Sequence, residues 1–213
     1  MVKLTNLVRA IDLQYPTNLA IFLVSLGTWL LSWIFVSWEV GISLGIGVFL
    51  AWALTQELDP ANEQVAFFAA ALYLSLGIYF PFSSLLGLFF ILLLLRIIVG
   101  TIGLRPTKLD YLGLIGLTAY LTWQVSIAWP VILMLALSFD IYLSSLHSGL
   151  RLEIKADRIN EKLWIKRIRV GRLFALLILL GALWLPGLKI TELLPLLASI
   201  AAVGIVTLAR HKS

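Results

Sequence analysis

Phe139-Asp-Ile-Tyr-Leu-Ser-Ser-Leu-His-Ser-Gly-Leu-Arg151 is the stretch on which the fold turns. Asp140 follows a long apolar run and precedes further apolar residues. A helix turns about 100° per residue, so Asp140, Ser144, His147, Ser148 and Arg151 share one stripe. An ionisable group inside a bilayer costs at least ~2.5 kcal/mol unless it meets a partner or water. The remaining helices are therefore expected to pack around this stripe, with Asp140 as a candidate functional acid.

Composition agrees with a bilayer setting. Of 213 residues, 61% are hydrophobic and 13% charged, with a mean hydropathy of +1.02. Soluble domains are roughly 45–50% apolar and ~25% charged. There is too much apolar side chain here for a water-covered core. The absence of cysteine excludes disulfides and thiolate metal sites. No small-residue cleavage site follows the first apolar run, which is expected to be retained as a span.

A span needs about 20 apolar residues, with a range of ~17–25. Eight runs qualify outward from the opening stretch, near 18–37, 40–56, 60–80, 83–100, 108–128, 130–147, 170–186 and 190–209. The second and sixth are short enough to be broken or tilted, and six spans with re-entrant segments is the alternative. Leu4, Leu7, Val8 and Ile11 sit at helical spacing, so residues 2–14 read as a short interfacial helix. The expected fold is an all-α polytopic membrane protein, a single domain over 1–213, built as four tight hairpins.

Charge assigns the sides. The turns near 37–39, 81–83, 128–130 and 186–189 are short and hold Lys189 as their only base. The other fifteen bases fall on the side of the longer connections at 56–64, 100–110 and 147–171 and of both ends of the chain. Cytoplasmic loops are enriched in Lys and Arg. Both termini are therefore expected on the cytoplasmic side of a plasma or inner membrane. Trp38, Phe80, Phe82, Trp129 and Trp184 flank the short turns, where an interfacial aromatic belt would lie. Gly41 and Gly45 form a GxxxG extended by Gly47. Ala66 with Ala70, Gly113 with Gly116, and Ala198 with Ala202 offer further small faces for helix packing.

Four polar groups stand out. Gln56–Gln64 carries Glu57, Asp59 and Glu63 without a base, a candidate site for a divalent cation. Asp59 and Pro60 also suit the start of the third span. Arg96–Asp110 carries Arg96, Arg105 and Lys108 around Gly100 and Gly103, chemistry that fits a phosphate or lipid head group. Thr107 and Asp110 read as the cap of the fifth span. Asp140 and His147 lie ~10 Å apart along a helix. They could relay protons or meet a polar ligand, or Asp140 could bond Gln124, Thr122 or Ser126 across the fifth–sixth hairpin. With only His147 and His211, a multi-histidine zinc site is excluded. Lastly, 147–171 is a basic segment. Eight bases lie between Arg151 and Arg172, with Leu152, Ala156, Ile159 and Leu163 at helical spacing. It reads as an amphipathic surface helix that continues into the seventh span and is drawn to anionic lipid, and topology explains the charge without nucleic acid. The alternation Leu152, Ile154, Ala156 leaves a small hairpin as the alternative.

No Gly-x-Ser-x-Gly, His-Glu-x-x-His, P-loop or aspartate-rich prenyl-diphosphate motif is present. Three function classes remain. The first is binding or processing of a phosphate-bearing lipid or isoprenoid at the cytoplasmic face. The second is a scaffold or assembly subunit with a protein partner or a second copy of itself. The third is a small transporter that uses Asp140 for ion or proton coupling. The first is favoured because acids and bases converge on one side. The lack of polar loops on the other side disfavours transport.

Overall fold

The apolar runs become helices in a computed structural model that describes residues 7, 11–79, 84–100, 106–124, 126–150, 156–184 and 190–211, with backbone only at 146–150, 156–163, 192, 210 and 211. The order is α1 (Pro16–Phe35), α2 (Trp38–Leu58), α3 (Glu63–Gly77), α4 (Leu85–Val99), α5 (Lys108–Gln124), α6 (Ala128–Leu150), α7 (Ala156–Gly181) and α8 (Leu194–His211), with a 3₁₀ turn at Ile190–Leu193 before α8. Among the described residues every regular element is helical.

Each of the eight apolar runs matches one helix, with shifted ends. α2 and α6, expected to be short, are unbroken helices of 21 and 23 residues. α1, α2 and Ala128–Ser145 of α6 are the three described helices long and apolar enough to cross a membrane. α3 and α4, at 15 residues each, rise only ~22 Å against a hydrocarbon core of ~30 Å. The first half of α7 is too basic to count. Residues 11–14 of the expected interfacial helix form a turn, and most of 2–10 lies outside the described residues. Residues 151–155, where a hairpin was an alternative, also lie outside them.

Two compact units account for the contacts. One comprises Met1–Arg9 with Leu93–Leu188, the other Ala10–Leu92 with Lys189–Ser213.

In the second unit, small residues decide the packing. Gly41 and Gly45 of α2 face Trp29 of α1 so closely that a Cβ on Gly41 would lie 2.7 Å from the Trp29 carbonyl oxygen. On Gly45 it would lie 2.9 Å from that of Ser25. Gly47 receives the ring of Tyr73 from α3. Ile21, Leu44, Val48, Ala51, Ala70 and Tyr73 form a buried cluster with Leu194 and Ala198 of α8. The Ser199 hydroxyl donates to the Ala51 carbonyl at 2.9 Å. Ala66, Ala70, Ala198 and Ala202 are buried as their small faces suggested. Gly113 and Gly116 are not packing contacts, since a Cβ on either meets open space.

In the first unit, α5 opens on the expected cap. The Thr107 hydroxyl accepts from Asp110 N at 3.2 Å, while Asp110 Oδ2 accepts from Thr107 N at 2.7 Å. Two first-turn donors are thus satisfied reciprocally. Thr107→Ala is expected to cost about 1 kcal/mol, and Thr107→Ser much less. Faster amide exchange in the first turn of α5 in the alanine variant alone would check this. Phe139 of α6 meets Phe174 of α7 edge-on at 6.2 Å. Trp129, expected in an interfacial belt, is instead fully buried in the core, whereas Trp184 is exposed.

Candidate functional site

A polar node joins α4, α6 and α7 in the first unit. α4 ends at Val99, and Gly100 follows with φ +72°. That left-handed residue lets its N–H return to the Arg96 carbonyl at 2.9 Å. It leaves the Ile97 and Ile98 carbonyls without helical partners. Arg167 of α7 supplies donors, its Nη1 lying 3.2 Å from Ile98 O and 3.4 Å from Ile97 O. A Cβ on Gly100 would sit 2.9 Å from the same nitrogen. Gly171, one turn on, lets α7 close against Val99.

Asp140 completes this node. Its Oδ1 lies 3.9 Å from Arg167 Nη1, with both side chains about a fifth exposed (22% and 20%). Tyr111 of α5 is within electrostatic reach of Asp140. The acid expected to organise the bundle therefore faces a base, and a cationic helix C-cap lies beside it. Gln124 is not its partner. It ends α5 beside the turn that opens α6, whereas Asp140 stands some 18 Å further along α6 by helical rise. Thr122 donates to the Thr118 carbonyl, and Ser126 accepts from Ala128 N. The His147 side chain lies outside the described residues.

Arg167 was hidden from sequence reading because the seventh span was cut at 170. Gly171, Phe174 and Ile178 repeat from it at helical spacing and are buried. That period was the signal that Arg167 faces inward.

The expected anion site is only partly described. Arg96 donates to the Leu7 carbonyl at 2.9 Å, which ties the N-terminal segment to the end of α4. Lys108 stands at the first position of α5, and Arg105 lies outside the described residues. On α7, Lys166 stands over the Tyr142 ring at 5.5 Å. Together with Arg169 it lines a shallow groove of about 550 Å³ floored by Ile165, Val170 and Leu173.

The acidic turn in the second unit does other work. Asp59 closes α2 instead of opening α3, with its N–H on the Thr55 carbonyl at 2.8 Å. Asn62 is the residue before α3, and its amide donates to Asp59 Oδ2 at 2.8 Å. The Tyr15 hydroxyl donates to Glu63 Oε1 at 2.8 Å. That hydrogen bond, with the carboxylate charge behind it, raises the Tyr15 phenol above its ordinary value. Glu57 and Asp59 are buried. Glu57, Asp59 and Glu63 are not brought together as a ligand set, and among the described residues no three acids or histidines form one. The cause is local. Tyr15 engages Glu63 and Asn62 engages Asp59, so the carboxylates serve as tethers between segments.

No protein family, curated protein or solved structure matches the chain. The chemistry of the site therefore rests on these residues alone. It comprises a cation-capped helix end, an Asp–Arg contact and a basic groove with an apolar floor.

Proposed function

We propose that the chain is a multi-pass protein of the plasma or inner membrane, with both termini cytoplasmic. In this reading it binds or processes a phosphate-bearing lipid or isoprenoid at its basic face. The supporting observation is the segregation of bases along the helix axes of the first unit. Arg96 lies in the last turn of α4 and Lys108 in the first turn of α5. Arg167, against the α4 C-terminus, brings the basic half of α7 to the same end. Positive charge gathered at one end of apolar helices is the cytoplasmic signature, and it attracts anionic head groups. The short α3 and α4 then cross as buried or locally thinned spans, since mismatch costs only fractions of a kcal/mol per Å.

The test is extraction of lipid bound to the protein isolated from its own membrane, beside a variant that neutralises the basic face as a whole (Arg105→Ala/Lys108→Ala/Lys166→Gln/Arg169→Gln). A stoichiometric phosphate-bearing lipid that is absent from the bulk profile, and depleted in the variant, is expected. A bound fraction identical to bulk membrane in both proteins would remove the reading. Placement is tested separately with a reporter fused at 160, which is expected to be active only in the cytoplasm.

A further inference from the structure

We propose that the outer face of α7 holds one anionic phospholipid of the cytoplasmic leaflet, its phosphate between Lys166 and Arg169 and an acyl chain along Leu173, Leu177 and Leu180. This rests on the membrane reading above and names the ligand and place of its anion site.

The stripe itself points to an amphiphile. Lys166, Val170, Leu173, Leu177 and Leu180 recur at i, i+4, i+7, i+11 and i+14, one face of a helix. Its basic end lines the groove with Arg169. Its far end is apolar and uncovered, with Leu173 49% and Leu180 56% exposed. Arg167, Phe174 and Ile178 lie about 100° round the helix from this stripe, on the face that packs. From Arg169 to Leu180 the axis rises ~16 Å. Half of a ~30 Å hydrocarbon core is ~15 Å, so the stripe matches one leaflet from head group to midplane.

The cations are suited to a phosphate. Among the described residues neither Lys166 nor Arg169 is paired with a carboxylate. Tyr142 of α6 holds the Lys166 ammonium over its ring, which restricts a long side chain before any ligand arrives. Arg169, one turn away, can offer two parallel N–H groups to phosphate oxygens. Charge complementarity selects an anionic head group over a zwitterionic one, whose own ammonium would meet both bases.

The experiment is native mass spectrometry of the full chain in mild detergent, titrated with palmitoyl-oleoyl phosphatidylglycerol or the matching phosphatidylcholine. One glycerol lipid should bind with a preference of about tenfold or more over the choline lipid, as two bases near a head group imply. Lys166→Gln/Arg169→Gln should abolish that preference. Lys166→Arg/Arg169→Lys, which keeps both charges, should retain it, and this shows that a loss in the first variant is not misfolding. An undiminished preference in the glutamine variant overturns the site. If the preference instead falls in Arg96→Ala/Lys108→Ala, the phosphate-amphiphile reading stands and only the α7 location is lost. Equal binding of the two lipids by the unaltered chain overturns both.

Discussion

Arg167→Ala is expected to lower the unfolding midpoint by about 4–8 °C, from about 2 kcal/mol of lost interaction at roughly 2–4 °C per kcal/mol. Arg167 serves two groups at once, the α4 carbonyls at 3.2 and 3.4 Å and Asp140 at 3.9 Å. Alanine removes this donor from the α4 carbonyls and the facing cation from Asp140. The estimate lies below the ~3–5 kcal/mol of a fully buried broken pair, because both side chains keep about a fifth of their surface and are partly screened. Arg167→Lys should recover only part of the loss. All three contacts fall on Nη1, and a lysine ammonium on its shorter stem would stop short of that position. Asp140→Asn removes one contact and should cost less than Arg167→Ala. The double variant should fall short of the sum, since each change removes the same contact. Strict additivity in thermal melts would show that Asp140 and Arg167 do not interact.

This node also shows how far sequence reading reaches. Apolar runs of near-span length were visible because helix hydrophobicity is a local property, and α4 reads as apolar nearly all round because it is buried nearly all round. Asp140 was visible because an acid in such a run is rare. Its partner was not, because pairing is decided by position along two helices, and a tight turn suggests proximity only near itself. Gln124 lies beside the α5–α6 turn, and Asp140 lies far from it. The basic segment was expected to continue as a helix into the seventh span, and α7 does run unbroken from Ala156 to Gly181. What a span boundary at 170 hid is that Arg167 lies on the inward face of that helix. At the acidic turn, Asp59 and Asn62 both have the side chain of a helix cap. Which one caps depends on how far α2 continues, and α2 continues because Leu58 is fully buried and Glu57 nearly so. Burial of that kind is set by tertiary packing, which no local pattern reports.

The second large effect concerns glycines that look alike in sequence. Gly47→Ala is expected to destabilise by about 1–3 kcal/mol through overpacking, whereas Gly116→Ala should be neutral or stabilising by up to about 1 kcal/mol through helix propensity. A Cβ on Gly47 falls onto the Tyr73 ring, which is wholly buried and cannot swing into solvent. A Cβ on Gly116 meets nothing within 4 Å. On the membrane reading proposed above, no hydrophobic drive would hold the helices together in lipid, and close backbone approach would carry a larger share of association. The Gly47 effect should therefore persist in detergent and bilayer alike. Gly47→Ala/Tyr73→Leu, which reopens the space, should lose less than the two single changes combined. Equal midpoints for Gly47→Ala and Gly116→Ala would mean that α2 and α3 do not approach through Gly47. The small-residue face of α2 would then rest on Gly41 and Gly45 against Trp29 alone.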